Sequence, residues 1–66
     1  MNAKKRNAEF AALVIDTRNM PFGPRLLELS AFARGSGCYV RFDENAFELR
    51  SASSWCGRLL CSVPRV

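Results

Sequence analysis

Residues 22–35 constrain the fold more than any other stretch, because both the beginning and the end of a helix are marked there. Pro24 suits the first position of a helix, where its fixed φ fits and its missing N–H is not needed. Gly35 and Gly37 suit the exit, since a residue without Cβ can adopt a left-handed conformation. We therefore predict a helix over residues 24–34.

The predicted helix carries an apolar face that needs a partner surface. Leu26, Leu29 and Ala33 recur at helical spacing, and Leu27 and Ala31 lie beside them. A helix of about 11 residues is only marginally stable alone in water. The rest of the chain must cover this face, and 66 residues allow one domain with one small core.

The flanking segments are predicted to form strands. The apolar run of residues 10–15 ends in β-branched residues, which is typical of a strand. Apolar and polar residues alternate over residues 38–43 and again over residues 47–50, which predicts a β-hairpin. In the turn between them Asn45 is expected to take a positive φ. Residues 1–8 are polar and basic and are expected to form a disordered arm before a single domain over residues 9–66.

The last part of the chain predicts a second, short helix. Ser53 and Ser54 are alternative N-caps for a helix from Trp55 to about Leu60, and Pro64 prevents its continuation. The expected order is strand, helix, strand, strand, helix. The predicted fold class is α+β, with two helices on one face of a small antiparallel sheet.

The composition predicts the redox state of the cysteines and bears on membrane insertion and metal binding. Hydrophobic residues make up 48% of the chain, which is too high for a disordered protein, yet no apolar run approaches the ~20 residues of a membrane span. The three cysteines form an odd set without other marks of secretion, which predicts reduced thiols in the cytoplasm. There is no histidine and no Cys-x-x-Cys pair, so no metal ion or cofactor is expected.

The basic balance of the chain favours anionic partners. The net charge is +4, but the eight arginines are spread along the sequence instead of forming a run. Nucleic acid and acidic protein surfaces are the partner classes that such a charge attracts. An ordinary solvated surface is the alternative interpretation.

The order of the predicted elements, together with several local signatures, resembles the HPr phosphocarrier family of the bacterial sugar phosphotransferase system. Residues 23–25 lie where that family has Gly-x-His at the start of a helix, and Phe32 lies at an apolar position of the same helix. Residues 45–46 match the hairpin turn of the family, and residues 54–57 match its regulatory Ser-x-x-Gly. The resemblance extends over residues 9–63 and implies a β-α-β-β-α order.

Two departures from the family change what the resemblance implies. Arg25 stands where the family has its phosphoryl-accepting histidine, and a protonated guanidinium is not a nucleophile, so histidine phosphotransfer and enzymatic activity are not expected. The sequence also lacks the last strand and helix of the family, which would leave strand edges open. The chain is then a fragment, a homodimer that closes its sheet through open edges, or a protein with a different fold.

The candidate site residues each have a structural alternative. Ser54, or Ser53 in the neighbouring register, matches the family's phosphorylated serine, but a serine there also serves as a plain helix cap. Arg25 is either an anion contact or a solvated side chain. Phe22 and Trp55 are expected to form an apolar docking patch beside Arg25, unless Trp55 fills the core. Arg50 and Arg58 are expected near Ser54, where they would assist phosphate binding.

We therefore expect a non-catalytic HPr-like regulatory or protein-binding domain, with a sugar-transport or transcription-regulatory protein as partner and no membrane insertion. A small nucleic-acid-binding module is the first alternative, supported by Tyr39 and Arg41 on the outer strand face and by the basic residues 4–6. An inactive fragment of a larger domain is the second.

Overall fold

The computed structural model describes residues 2–53, 55 and 57–65. Helices α1 (Ala3–Asp16) and α2 (Phe22–Gly35) precede strands β1 (Cys38–Phe42), β2 (Ala46–Ser51) and β3 (Leu59–Pro64). The strands form one antiparallel sheet in the order β1-β2-β3. The α+β class is confirmed, whereas the order of elements is helix, helix, strand, strand, strand instead of the expected β-α-β-β-α.

Helix α2 confirms the prediction for residues 24–34. The chain leaves the helix at Gly37, whose φ of 69° lies in the left-handed region, and the Gly37 N–H donates to the Arg34 carbonyl oxygen. Leu29 and Ala33 are buried as expected. Leu27, in contrast, is 69% exposed, because Arg25 and not Leu27 shares the buried stripe with Leu29.

The predicted β-hairpin is also confirmed, with Cys38 opposite Ser51 and Phe42 opposite Phe47. Its turn is built differently from the expectation. Asn45 does not take a positive φ. Instead the Asp43 carboxylate accepts the N–H groups of Asn45 and Ala46 at 2.7 and 2.9 Å, which closes the turn through a side chain.

The prediction of a strand over residues 10–15 is wrong, because these residues lie in helix α1. Phe10 and Val14, one helical turn apart, are both fully buried, so the apolar run follows a helical and not an alternating period. The Asn2 side chain caps the helix by accepting the Lys5 N–H at 2.7 Å. From Ala3 on, the basic stretch that we expected to be disordered belongs to this helix.

The prediction of a second helix from Trp55 to Leu60 is wrong as well, since Leu59–Pro64 forms strand β3. Pairing with β2 satisfies the backbone groups of this short apolar segment, whose pattern does not distinguish a helix from a strand. Pro64 lies at the end of an edge strand, where a missing N–H is tolerated. Ser54 and Cys56, which also belong to the predicted cap and helix, lie outside the described residues.

One hydrophobic core joins both helices to one face of the sheet, the inner face. Its buried side chains come from all five elements: Phe10, Val14, Leu29, Ala33, Cys38, Phe47, Leu49 and Val63. Both helices of the described residues lie on the inner face, opposite the outer face of the sheet. The strands run between two ends of the molecule. We call the end with the turn of residues 43–45 the hairpin end, and the end with residues 52–58 the loop end.

Candidate nucleic-acid interface

The loop end is formed where residues 52–58 connect β2 to β3. The Ala52 N–H donates to the Gly37 carbonyl oxygen at 3.2 Å, and the Ser51 N–H donates to the Arg58 carbonyl oxygen at 3.0 Å. These bonds hold the two ends of the loop beside the beginning of β1. The residues between them project from the end of the sheet.

Trp55 lies in this loop, and its side chain is 99% exposed. The interpretation of Trp55 as a core residue is therefore wrong. An indole ring outside the core is available to stack on a planar partner. Because exposed apolar surface is unfavourable in water, a partner that covers the ring lowers the free energy.

The loop is anchored on the outer face of the sheet by Tyr39 and Arg50. Gly57 is buried against the Tyr39 ring with a φ of 66°, and a Cβ at this position would overlap with the Tyr39 hydroxyl. The Arg50 guanidinium donates to the Gly57 carbonyl oxygen at 2.8 Å and pairs with the Glu48 carboxylate at 3.0 Å. Arg50 is thus neutralised, and its role on this face is structural.

Other cations at the loop end have no such acidic partner within 4.0 Å among the described residues. The Asn7 side chain donates to the Leu60 carbonyl oxygen at 3.2 Å, which brings the beginning of α1 to this end. Helix α2 ends here too, just before Gly37. Besides Arg50, five of the ten basic residues are therefore located at the loop end: Lys4, Lys5, Arg6, Arg34 and Arg58.

Acidic residues are concentrated at the opposite end of the molecule. Asp16 ends helix α1 there, and Asp43 and Glu44 lie in the hairpin turn. The first turn of α1 contains no acidic residue, although carboxylates are favoured at that position. The charge of the protein is thus distributed unevenly, with its basic pole beside Trp55.

Arg25 and Phe22 lie at the hairpin end. Arg25 is only 6% exposed, so the interpretation as a solvated side chain is wrong. Its guanidinium donates to the Val14 carbonyl oxygen at 2.7 Å and to the Thr17 hydroxyl at 3.3 Å. Burial lowers the pKa of Arg25 from its ordinary value, and the charge of Arg65 acts in the same direction.

The structure does not bring Phe22 and Trp55 into one patch. Strands of five and six residues separate the two ends of the sheet, a distance of about 17–20 Å. Phe22 packs instead against Phe42, with ring centroids 5.0 Å apart. The candidate residues therefore divide between two ends: Arg25 and Phe22 at one, Trp55 and Arg58 at the other.

Of the two candidate serines, Ser53 is among the described residues. Ser54 lies outside the described residues. Ser53 is exposed, and its hydroxyl is 2.9 Å from the Ser51 hydroxyl. Ser53 does not precede a helix, because the next regular element is β3. A helix terminus is therefore not available to bind a phosphate at Ser53.

Within the described part of the chain, no enclosed cavity and no cluster of three His, Cys, Asp or Glu side chains is found. The same residues include no helix with the length and apolar character of a membrane span. Cys38 and Cys61 are free thiols. Burial raises the pKa of the Cys61 thiol, while the charge of Arg6 acts in the opposite direction.

Sequence reasoning missed two residues that shape these ends. Arg65 stacks on the rings of Phe22 and Phe47. This contact joins distant parts of the chain, so no local sequence pattern predicts it. Asn2, in contrast, precedes the helix at the position where an asparagine commonly caps, so its role was accessible from sequence.

Comparison with known proteins assigns no family to this fold. No protein-family model matches the sequence, and no curated protein or solved structure shows significant similarity to it.

Proposed function

We propose that this protein is a non-catalytic module that binds single-stranded nucleic acid at its loop end. The observation that carries the proposal is the exposed ring of Trp55 at the end of the molecule that holds five basic residues besides the paired Arg50. Stacking on an aromatic side chain contributes about 1–3 kcal/mol per base, and it requires unpaired bases. An exposed ring therefore favours a single strand over a duplex.

The cations around Trp55 supply the second part of the interaction. Lysine and arginine side chains that neutralise phosphates release condensed counterions, so affinity falls as salt rises, with a slope of about −0.7 per phosphate contact for single strands. Arg58 lies in the same loop as Trp55 and is exposed. We expect it to contact a phosphate of the nucleotide whose base stacks on the indole ring.

Fluorescence anisotropy with labelled oligonucleotides tests this proposal. Single strands of DNA and RNA and a duplex of equal length are titrated with the protein over a series of salt concentrations. The Trp55→Ala and Arg58→Gln variants should lose affinity for single strands. Leu27→Ala and Arg18→Gln are the matched controls, since each removes an exposed side chain of the same class away from the loop end.

Two results would overturn the proposal. One is equal affinity of the Trp55→Ala variant and the unaltered protein for single strands. The other is preference for the duplex at every salt concentration. A salt slope near zero would remove the role assigned to the basic residues and leave stacking alone.

A protein partner is the second candidate, and a separate observation favours it. Phe22 and Phe42 form an aromatic pair at the hairpin end, yet they remain 38% and 44% exposed. Exposed paired aromatic rings are typical of surfaces that bind proteins. This candidate corresponds to the regulatory or protein-binding function expected from the HPr resemblance, and the element order of the structure lends that resemblance no support.

Phosphorylation at Ser54 or Ser53 remains a prediction of the resemblance. Incubation with an HPr-type kinase and ATP, followed by mass spectrometry, is its direct test. If neither serine gains phosphate, the regulatory switch is eliminated, whereas nucleic-acid binding at the loop end is unaffected.

A further inference from the structure

Two guanidinium groups meet on one aromatic ring at the hairpin end. The guanidinium carbon of Arg25 lies 4.8 Å from the centroid of the Phe47 ring, and that of Arg65 lies 5.3 Å from the same centroid. Arg65 also lies 4.9 Å from the centroid of Phe22. Both guanidinium groups therefore pack on the Phe47 ring, and the charge of Arg65 acts on Arg25.

Among the described residues, neither charge forms an ion pair with an acidic side chain within 4.0 Å. The one ion pair among the described residues joins Arg50 to Glu48, away from this end. Asp43 is the acidic residue beside Arg65, but Arg65 donates to its backbone carbonyl oxygen at 2.7 Å, and the Asp43 carboxylate binds backbone N–H groups of the turn. The charge of Arg65 acts favourably on the Asp43 carboxylate but unfavourably on Arg25, and an anion in contact with both guanidinium groups would reduce this repulsion.

One polar atom of the buried arginine remains available for a ligand. The Nε and Nη2 atoms of Arg25 donate to Thr17 and Val14, whereas Nη1 has no partner in the described part of the chain. No fully buried side-chain nitrogen or oxygen there lacks a partner, so Nη1 must reach solvent. With 6% of its surface exposed, Arg25 can offer only this one nitrogen to a ligand, because its other two nitrogens donate to Thr17 and Val14.

We propose that Arg25 and Arg65 together bind an oxyanion, a phosphate or a carboxylate group, at the hairpin end. Guanidinium groups form strong charge-assisted hydrogen bonds with such ligands, and at Arg25 one nitrogen, Nη1, is left for this bond. Helix α2 begins beside Arg25 without a side-chain cap and without an acidic residue in its first turn, so the positive end of the helix adds to the attraction. This site is independent of the loop end and of Trp55.

NMR titration of the full chain tests the site. Inorganic phosphate, acetate and chloride are added at equal ionic strength, and the backbone amide signals of Phe22, Gly23 and Arg25 and the side-chain Nε signals of Arg25 and Arg65 are followed. We expect a saturable shift with phosphate or acetate but not with chloride. The anion that saturates at the lower concentration identifies the preferred group.

The Arg65→Gln variant should bind the preferred anion about tenfold more weakly or worse, because it loses a charge-assisted hydrogen bond. Arg65 is exposed, so this variant keeps the core intact, and thermal unfolding checks that it folds. Arg18→Gln, which removes an exposed arginine near the same end, is the control and should bind like the unaltered protein.

A further titration distinguishes a free anion from the terminal phosphate of a nucleic acid. Oligonucleotides with and without a 5′-phosphate are titrated into the Trp55→Ala variant, in which the loop end is impaired. Shifts at Arg65 only with the 5′-phosphate assign the site to a strand terminus. Equal, non-saturable shifts in all three salts, or undiminished binding by Arg65→Gln, would overturn the proposal while leaving the loop end untouched.

Discussion

The hydroxyl group of Tyr39 occupies the space in which a side chain at Gly57 would begin. This contact connects the outer face of strand β1 to the loop that carries Trp55. It requires a glycine for two reasons: the space is filled, and the φ of 66° at Gly57 is unfavourable for residues with a Cβ. The position of the proposed interface therefore depends on one glycine.

Gly57→Ala should destabilise the protein by about 1–3 kcal/mol, the usual cost of a strained left-handed residue, and the overlap with Tyr39 adds to it. Urea denaturation followed by circular dichroism measures the effect. Gly23→Ala is the matched control, because a Cβ there meets no atom within 4 Å and the residue lies in a helix. Equal stability of the two variants would contradict the contact.

Asn2→Ala should weaken helix α1 by about 1 kcal/mol, because the Lys5 N–H loses the side-chain acceptor that caps the helix. Thermal unfolding and amide exchange of residues 3–6 report the change. Asn19→Ala, which alters an exposed asparagine in the turn between the helices, is the control. If both variants unfold alike, Asn2 does not cap the helix.

Acid should remove part of the stability through Asp43. Backbone N–H groups of Asn45, first, and of Ala46 lower the pKa of this carboxyl group, and the charge of Arg65 contributes. A lowered pKa in the folded state means that the stabilisation is complete above the ordinary unfolded value of about 3.9 and is lost as pH falls through the folded pKa.

Denaturation curves between pH 6 and pH 2 test this dependence. Asp43→Asn should flatten the acid branch of the stability profile, since the amide oxygen does not titrate. Glu44→Gln removes one charge from the same turn and serves as the control. An unchanged acid branch in Asp43→Asn would rule out this role of the carboxylate.

Trp55→Ala should change the free energy of unfolding by less than about 0.5 kcal/mol, because the side chain lies outside the core. Leu29→Ala, at a fully buried position, should cost about 2–5 kcal/mol. Chemical denaturation of both variants compares them directly. A large loss of stability in Trp55→Ala would place the indole ring in the core after all.

Local sequence signals were sufficient for helix α2 and for the hairpin. Pro24 lies in the first turn of the helix, two residues after its beginning at Phe22, and Gly37 follows its end; neither backbone preference depends on distant residues. The alternation over residues 38–42 determines which side chains of β1 face the core, because neighbouring side chains of a strand point to opposite faces. These two predictions hold because their physical cause lies within each segment.

Distant contacts decided the remaining elements. A short apolar run such as residues 10–15 is compatible with a helix or a strand, and the run of residues 59–63 is equally ambiguous. Docking of Phe10 and Val14 in the shared core selects the helix, and pairing with β2 selects the strand. The burial of Arg25 depends in the same way on acceptors in helix α1.

A pattern along the chain therefore establishes α2 and the hairpin, whereas the nature of α1 and β3 and the locations of Arg25 and Trp55 follow from the assembled core. The physical reason is that burial free energy depends on which surfaces meet, and a short segment carries no information about its partner.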